Sequence, residues 1–255
     1  MKTTWIVTPY FFENKDMALV NAVPKGENFV LNDPSGIADR SAESLSRGHR
    51  PIADIVAKAA TKGEVPFSIA GDCCASLPVM AGLQKAGLAP VLVWLDAHGD
   101  FNTYETSPSG FLGGMPLAMM VGKGDLSIAR ASGQRPVTES DVWLVEARDL
   151  DPLEAEAVRS SNLNRLDLSM FADIVLDRPV HLHIDNDVVD AVDVPANNYP
   201  VDDGPRLEEV IEACRTFAAQ NRICAVSLSG WNGHLDCDGQ TAAACRQLLA
   251  AIAEV

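Results

Sequence analysis

Short apolar runs recur along the chain at 4–9, 66–70, 91–95, 142–146, 180–184 and 223–229, each bounded by polar or turn-forming residues. Their length and their lack of strict alternation suit parallel strands buried on both faces. Between them the apolar positions take a helical spacing, which predicts helices at 52–62, 75–86, 152–160, 207–221 and 240–254. The last two begin after breaker pairs, Gly204-Pro205 and Asp238-Gly239. Strand and helix patterns that alternate in this way predict an α/β fold, a mostly parallel central sheet covered by helices on both faces. The stretch 101–124 breaks the rhythm. It carries five Gly and two Pro and reads as a long loop leading into a short helix near 116–121. With no internal repeat, low-complexity segment or linker, the 255 residues are expected to form a single domain.

Composition narrows the function. A hydrophobic fraction of 47% is enough for a sizeable core. The formal net charge of −15 argues against nucleic acid and anionic membranes as partners. No apolar run is long enough to span a bilayer, and residues 1–10 look like a strand rather than a signal peptide. Six cysteines in this length do not make a disulfide framework, and Cys214, Cys224 and Cys245 lie in apolar settings suited to buried thiols. The expected compartment is the cytoplasm.

The candidate chemistry sits at strand ends. Asp96-Ala97-His98-Gly99-Asp100 follows the run Val91-Leu92-Val93-Trp94-Leu95 directly, and a second burst, His183-Ile184-Asp185-Asn186-Asp187-Val188-Val189-Asp190, follows the run near 180. Ligands bind outside the carboxyl ends of strands in open α/β sheets. Two carboxylate-rich strand ends cannot converge without cations, because like charges repel at close range. Oxygen and imidazole donors in that number point to two hard divalent ions sharing carboxylate bridges. The alternative is that these Asp residues only cap helices and form turns; a His close to the Asp residues of both clusters argues against it.

Together with Ala70-Gly71-Asp72-Cys73-Cys74, the two clusters resemble the arginase (ureohydrolase) family, whose pattern is Gly-Gly-Asp-His-Ser, then Asp-Ala-His-x-Asp, then Ser-x-Asp-x-Asp-x-x-Asp-Pro. The segments occur in that order, and the resemblance runs from about residue 66 to the C-terminus. It implies an arginase-like three-layer α/β/α metallohydrolase domain over 1–255. It also implies two divalent ions, Mn2+ foremost, with Zn2+, Fe2+ or Ni2+ admitted by Cys73. Asp96 and Asp185 would bridge the ions, Asp100 would bind the first, His98 and Asp187 the second, and Asp190 would orient the loop. The chemistry implied is attack of a metal-bridging hydroxide on a guanidinium carbon. The partner implied is a small-molecule guanidino substrate, and the assembly a homo-oligomer, trimer or hexamer.

The chain departs from the family pattern in three places. Cys73 replaces a His that ligates the first metal. It either ligates as a thiolate, a soft donor that suits zinc or iron better than manganese, or leaves that site weak with one metal remaining, or is an inert buried thiol. Cys74 stands at the family Ser and reads as a packed small residue. In the loop, Asn102 and Ser109 fall where the family holds the substrate α-carboxylate, but Phe111 replaces an Asn and Gly113 replaces the loop His with a proton-shuttle role. His183 or His234 is the candidate substitute, so Asp100, His183 and His234 are the candidate catalytic residues. The third departure is at Ser229-Gly230, where the family carries a Glu that pairs with the guanidinium. Losing one partner of a buried ion pair costs about 3–5 kcal/mol, and a less basic group such as an N-hydroxyguanidine loses less. Trp231 offers a flat face to a planar group or belongs to the core. In Arg148-Asp149-Leu150-Asp151-Pro152, Asp151 matches a contact to the substrate α-amino group and also suits an N-cap. Asn102, Ser109 and Asp151 are therefore the candidate substrate-binding residues.

The function expected is hydrolysis of the C–N bond of a guanidino or modified guanidino amino acid, with an Nω-hydroxyarginine-like group as one candidate. The alternatives are an agmatinase, guanidinobutyrase or formiminoglutamase type of activity, or a catalytically weak metal- or ligand-binding homologue.

Overall fold

A computed structural model describes residues 1–34 and 37–255. Eight strands form its main sheet: β1 (Thr3–Thr8), β2 (Phe29–Leu31), β3 (Val65–Ala70), β4 (Val91–Leu95), β5 (Val142–Val145), β6 (Asn164–Leu166), β7 (Val180–Asp185) and β8 (Ile223–Ser229). Their order is β2-β1-β3-β8-β7-β4-β5-β6, and every neighbouring pair is parallel. Parallel neighbours need crossover connections, and the helices supply most of them: α1 (Ala42–Thr61), α2 (Ser76–Lys85), α3 (Pro116–Met120), α4 (Ser127–Ser132), α5 (Pro152–Ser160), α6 (Leu168–Phe171), α7 (Leu207–Gln220) and α8 (Gln240–Ala253).

Side-chain alternation along the central strands builds a core on each face of the sheet. Phe67, Ile69, Val93, Leu95, Leu182, Ile184, Val226 and Leu228 point to α7 and α8, where Val210, Phe217, Leu248 and Ile252 meet them. On the other face Leu92 and Trp94 pack with Leu45 of α1 and Leu77 and Met80 of α2, and Ile6 and Ala225 join Ile52, Val56, Val79 and Leu83. Each of these side chains is fully or almost fully buried, a gain of about 1.5–3 kcal/mol for a large aliphatic group.

The expected strands and helices are present with ends shifted by a residue or so, with one exception. The helix expected at 52–62 begins ten residues earlier, at Ala42, and contains Pro51. Proline removes one helical N–H bond, but the segment continues because Leu45 anchors its first turns in the core and Ser41 Oγ caps it through the Ser44 amide at 3.2 Å. Edge strands β2 and β6, three residues each, and the short helices α4 and α6 carry too few apolar positions to register as periodic patterns. Among the described residues no helix is long and apolar enough to cross a membrane, and all six cysteines are free.

Candidate metal centre

The strand register assembles the site. Ile69, Leu228, Ile184 and Leu95 lie in one row across β3, β8, β7 and β4, so the residues that follow them leave the sheet at one edge. There β4 delivers Asp96, β7 ends on Asp185, β8 ends on Ser229, and β3 leads through Gly71 and Asp72 to Cys73. The backbone then turns on the carboxylates themselves. Asp96 Oδ1 accepts from the His98 amide at 2.7 Å and Oδ2 from Trp94 Nε1 at 2.9 Å. Asp185 Oδ1 accepts from the Asp187 amide at 3.0 Å, and Asp187 Oδ1 from the Ala97 amide at 3.1 Å. The turn-forming reading of these residues is thus correct for one oxygen of each, while the remaining oxygens of Asp185 and Asp187 face the other donors. Asp187 Oδ2 is 3.1 Å from His98 Nδ1, and Asp185 Oδ2 is 2.9 Å from Cys73 Sγ. Asp100 adopts a left-handed φ of 49°, and its Oδ2 is buried with no hydrogen-bond partner among the described residues.

Among the described residues two groups of donors have ligand atoms within 4.8 Å of one another: Asp96, His98 and Asp187, and Asp96, Cys73 and His183. Asp96 belongs to both. With the orphaned Asp100 oxygen beside them, these donors fit a pair of divalent cations. The electrostatics agree. Burial and the charges of Asp96 and Asp185 push the Asp100 carboxyl far up, and burial with Asp185 and Asp96 does the same to Asp187. Burial and Asp96 raise Asp185 to about 6. Burial and the Asp185, Asp100 and Asp96 charges push the Cys73 thiol well up. Burial opposes a charge on His98, but Asp187 and Asp96 outweigh it and raise that imidazole to about 12. A bound cation inverts this logic, because it stabilises the anions that now repel one another.

A cleft of about 260 Å³ opens over the cluster, lined by Cys73, His98, Asp100, Asp185 and Asp187 at its floor. Asn102, Ser109 and Asp151 line it too. Asn102 Nδ2 donates to Asp151 Oδ2 at 3.0 Å, so two of the three expected substrate residues meet, while Ser109 lies exposed on the rim. Cys74 is packed and buried, its Sγ 3.9 Å from the Leu112 carbonyl. Asp190 ties down its own loop through the Val192 and Gly204 amides and does not reach the cleft.

Two expectations need correction. His234 is exposed, and its Nε2 lies 3.3 Å from the Lys15 carbonyl, away from the cleft. His183 is fully buried beneath the cluster and is not on the cleft wall, so it cannot take a proton from a leaving amine there. Of the two readings of Trp231, the structure has the core one.

Other residues matter more than the sequence suggested. Arg148 donates to the carbonyls of Asp187, Val188 and Val201 at 3.0, 3.0 and 3.1 Å, bracing the loop that carries the second Asp cluster. Glu154 accepts from the Phe101 amide at 2.8 Å and the Asp151 amide at 3.2 Å, joining the Asp-rich loop to α5; burial raises its carboxyl to about 7. Phe12, Phe111 and Tyr199 form an aromatic side to the cleft, with centroids 5.3 Å apart for Phe12–Phe111 and 5.0 Å for Phe111–Tyr199. The Phe111 ring explains Gly113: a Cβ at 113 would sit 2.4 Å from Phe111 Cε1. A Cβ at Gly230 would fall 2.0 Å from Asp185 Oδ1, so no longer side chain fits there in this arrangement.

A model of the arginase family matches residues 20–253. The chain is 27% identical over 252 residues to an arginase of Bacillus caldovelox, covering 93% of this chain and 84% of that one. It is 33% identical over 169 residues to an N(omega)-hydroxy-L-arginine amidinohydrolase of Streptomyces lavendulae, covering 64% of this chain and 59% of that protein. The crystal structure of Bacillus subtilis arginase superposes with a TM-score of 0.86 at 23% identity, covering 99% and 98% of the two chains. A match spanning nearly the whole chain, on a sheet that brings the expected donors to one edge, places this protein in the arginase family, among hydrolases acting on linear amidines.

Proposed function

We propose that the chain is a binuclear-metal amidinohydrolase that cleaves a modified guanidino group, of the Nω-hydroxyarginine kind, from an α-amino acid. The observation that carries this reading is the asymmetry of the cleft. Its outer wall keeps the Asn102–Asp151 pair, a carboxylate suited to an ammonium group. Its inner end has Gly230, next to the buried Ser229, where a carboxylate would face a guanidinium, and Asp185 blocks any side chain at 230. A strongly basic guanidinium lacks its anionic partner there, whereas a less basic hydroxyguanidine is penalised less. The relative from Streptomyces lavendulae, named for that substrate, adds support. Asp96, His98, Asp100, Asp185, Asp187 and Cys73 would hold the cations. Manganese is the first choice by family and zinc or iron the alternative that a thiolate favours. When bound, the two ions supply a water activated near neutral pH.

The test offers arginine, Nω-hydroxyarginine and agmatine to the metal-loaded protein and measures ornithine, putrescine and urea-type products. Ornithine from Nω-hydroxyarginine, formed faster than from arginine, is expected; turnover of agmatine alone contradicts it. Asp151→Ser separates the two ends. Serine remains a good N-cap for α5, but a hydrogen bond between charged groups is lost, worth about 1.5–3 kcal/mol. KM for the amino acid is expected to rise roughly 10–100-fold, and an unchanged KM would rule out an α-amino contact at 151.

A further inference from the structure

We propose that His183 is a metal ligand in this chain, supplying from β7 the imidazole that position 73 lacks, so that Cys73, His183 and Asp96 together hold one of the two cations. The inference rests on the binuclear reading above and adds a ligand to it. Relative to the family pattern, His has become Cys at 73, and the Ser that opens Ser-x-Asp-x-Asp has become His at 183. Cys73 follows β3 and His183 lies on β7, with β8 between them in the sheet, and the ligand atoms of Cys73, His183 and Asp96 all lie within 4.8 Å of one another.

The hydrogen bonds orient the ring for that task. His183 Nδ1 is 2.6 Å from Ser76 Oγ and 3.0 Å from Ser227 Oγ. Ser76 directs its own proton to Ser227 Oγ at 3.1 Å, which leaves its lone pairs free to accept from Nδ1–H. With the ring proton on Nδ1, the Nε2 lone pair points to the Cys73 side: Nε2 lies 3.5 Å from Ser229 Oγ, which is itself 3.0 Å from Cys73 Sγ. An imidazole that donates through one nitrogen and leaves the other free is the usual arrangement of a metal-binding histidine. Trp94 packs against the His183 ring, tilted by 34° at a centroid distance of 3.6 Å, while its Nε1 holds Asp96, so one indole positions two of the three donors. His183 is fully buried and does not itself line the cleft, so it meets the site through Cys73 and Asp96. A thiolate, an imidazole and a carboxylate form a set suited to Zn2+, Fe2+ or Co2+ rather than Mn2+.

Cobalt(II) titration tests the assignment by calorimetry and electronic spectra. The loaded wild-type protein is expected to bind two equivalents, to show a thiolate-to-cobalt charge-transfer band, and to give two exchangeable, paramagnetically shifted imidazole N–H resonances, from His98 and His183. His183→Asn is expected to lose one equivalent. Cys73→His/His183→Ser, which returns both positions to the family pattern, is expected to regain it without the charge-transfer band. Uptake of two equivalents with a single shifted imidazole resonance overturns the assignment, and that readout needs no variant to fold. Two equivalents with unchanged affinity in His183→Asn overturns it as well, with the binuclear reading intact. Uptake of one equivalent or none by the wild-type protein defeats both.

Discussion

Asp185→Ala is expected to empty both cation positions and to lower amidine hydrolysis far beyond the roughly 10–100-fold loss that follows removal of an outer partner of a metal ligand. Asp185 ends β7 with Oδ1 fixed by the Asp187 amide and Oδ2 against Cys73, so it lies between the two donor groups. Its removal also releases the turn that aims Asp187 at His98. Asp96→Ala is expected to act alike, because Asp96 is the donor common to both groups. Elemental analysis after reconstitution and gel filtration reads the result directly: two equivalents in the wild type, and none in either variant. Full metal content in Asp185→Ala or Asp96→Ala would contradict a bridging position for that residue. Asp185→Asn serves as the control for folding, since its amide oxygen can still accept from the Asp187 amide.

Chelation is the second large effect. In the metal-free protein Asp96, Asp100, Asp185 and Asp187 stay buried together, with His98 the one cation among them held by a close ion pair. An ion bound at a hundred times its Kd contributes about 2.7 kcal/mol to stability. Each kcal/mol moves the melting midpoint of a chain of this size by about 2–4 °C. Removal of both ions is therefore expected to lower Tm by roughly 10–20 °C, with reversal on adding metal back. Scanning calorimetry before and after treatment with a chelator checks this. An unchanged Tm would mean that the cluster is stable without cations and that its carboxylates are neutral in the folded state.

Much of this arrangement was legible in the sequence because its signals are local. The four strands that frame the site carry apolar runs, and three of them end in Gly-Asp, Asp-x-His-x-Asp or Asp-x-Asp segments. What the sequence obscured has particular causes. Pro51 concealed the first half of α1, since a single missing N–H outweighs the packing of Leu45 only when tertiary contacts are unknown. His183 read as a substitute proton carrier, although its parity on β7 decides otherwise. Residues of one strand alternate between faces, so His181 and His183 share the face opposite Leu182 and Ile184, under α2 rather than in the cleft. The Arg148 bridges left no local signature, because the carbonyls of Asp187, Val188 and Val201 lie 39, 40 and 53 positions away along the chain.

Phe111 and Gly113 have a bearing on the order in which this cleft can change. The ring of Phe111 fills the volume that any side chain at 113 would need, and Phe12 and Tyr199 hold the ring in place. Introducing His at 113 alone would overfill the site, at about 1–3 kcal/mol, so that a lost activity would report on crowding and not on chemistry. The same His placed after Phe111→Asn escapes the three atoms that crowd its Cβ most closely. Position 113 is thus conditional on position 111: scanned alone, its reversion would score as harmful, and the order that avoids the clash changes 111 first.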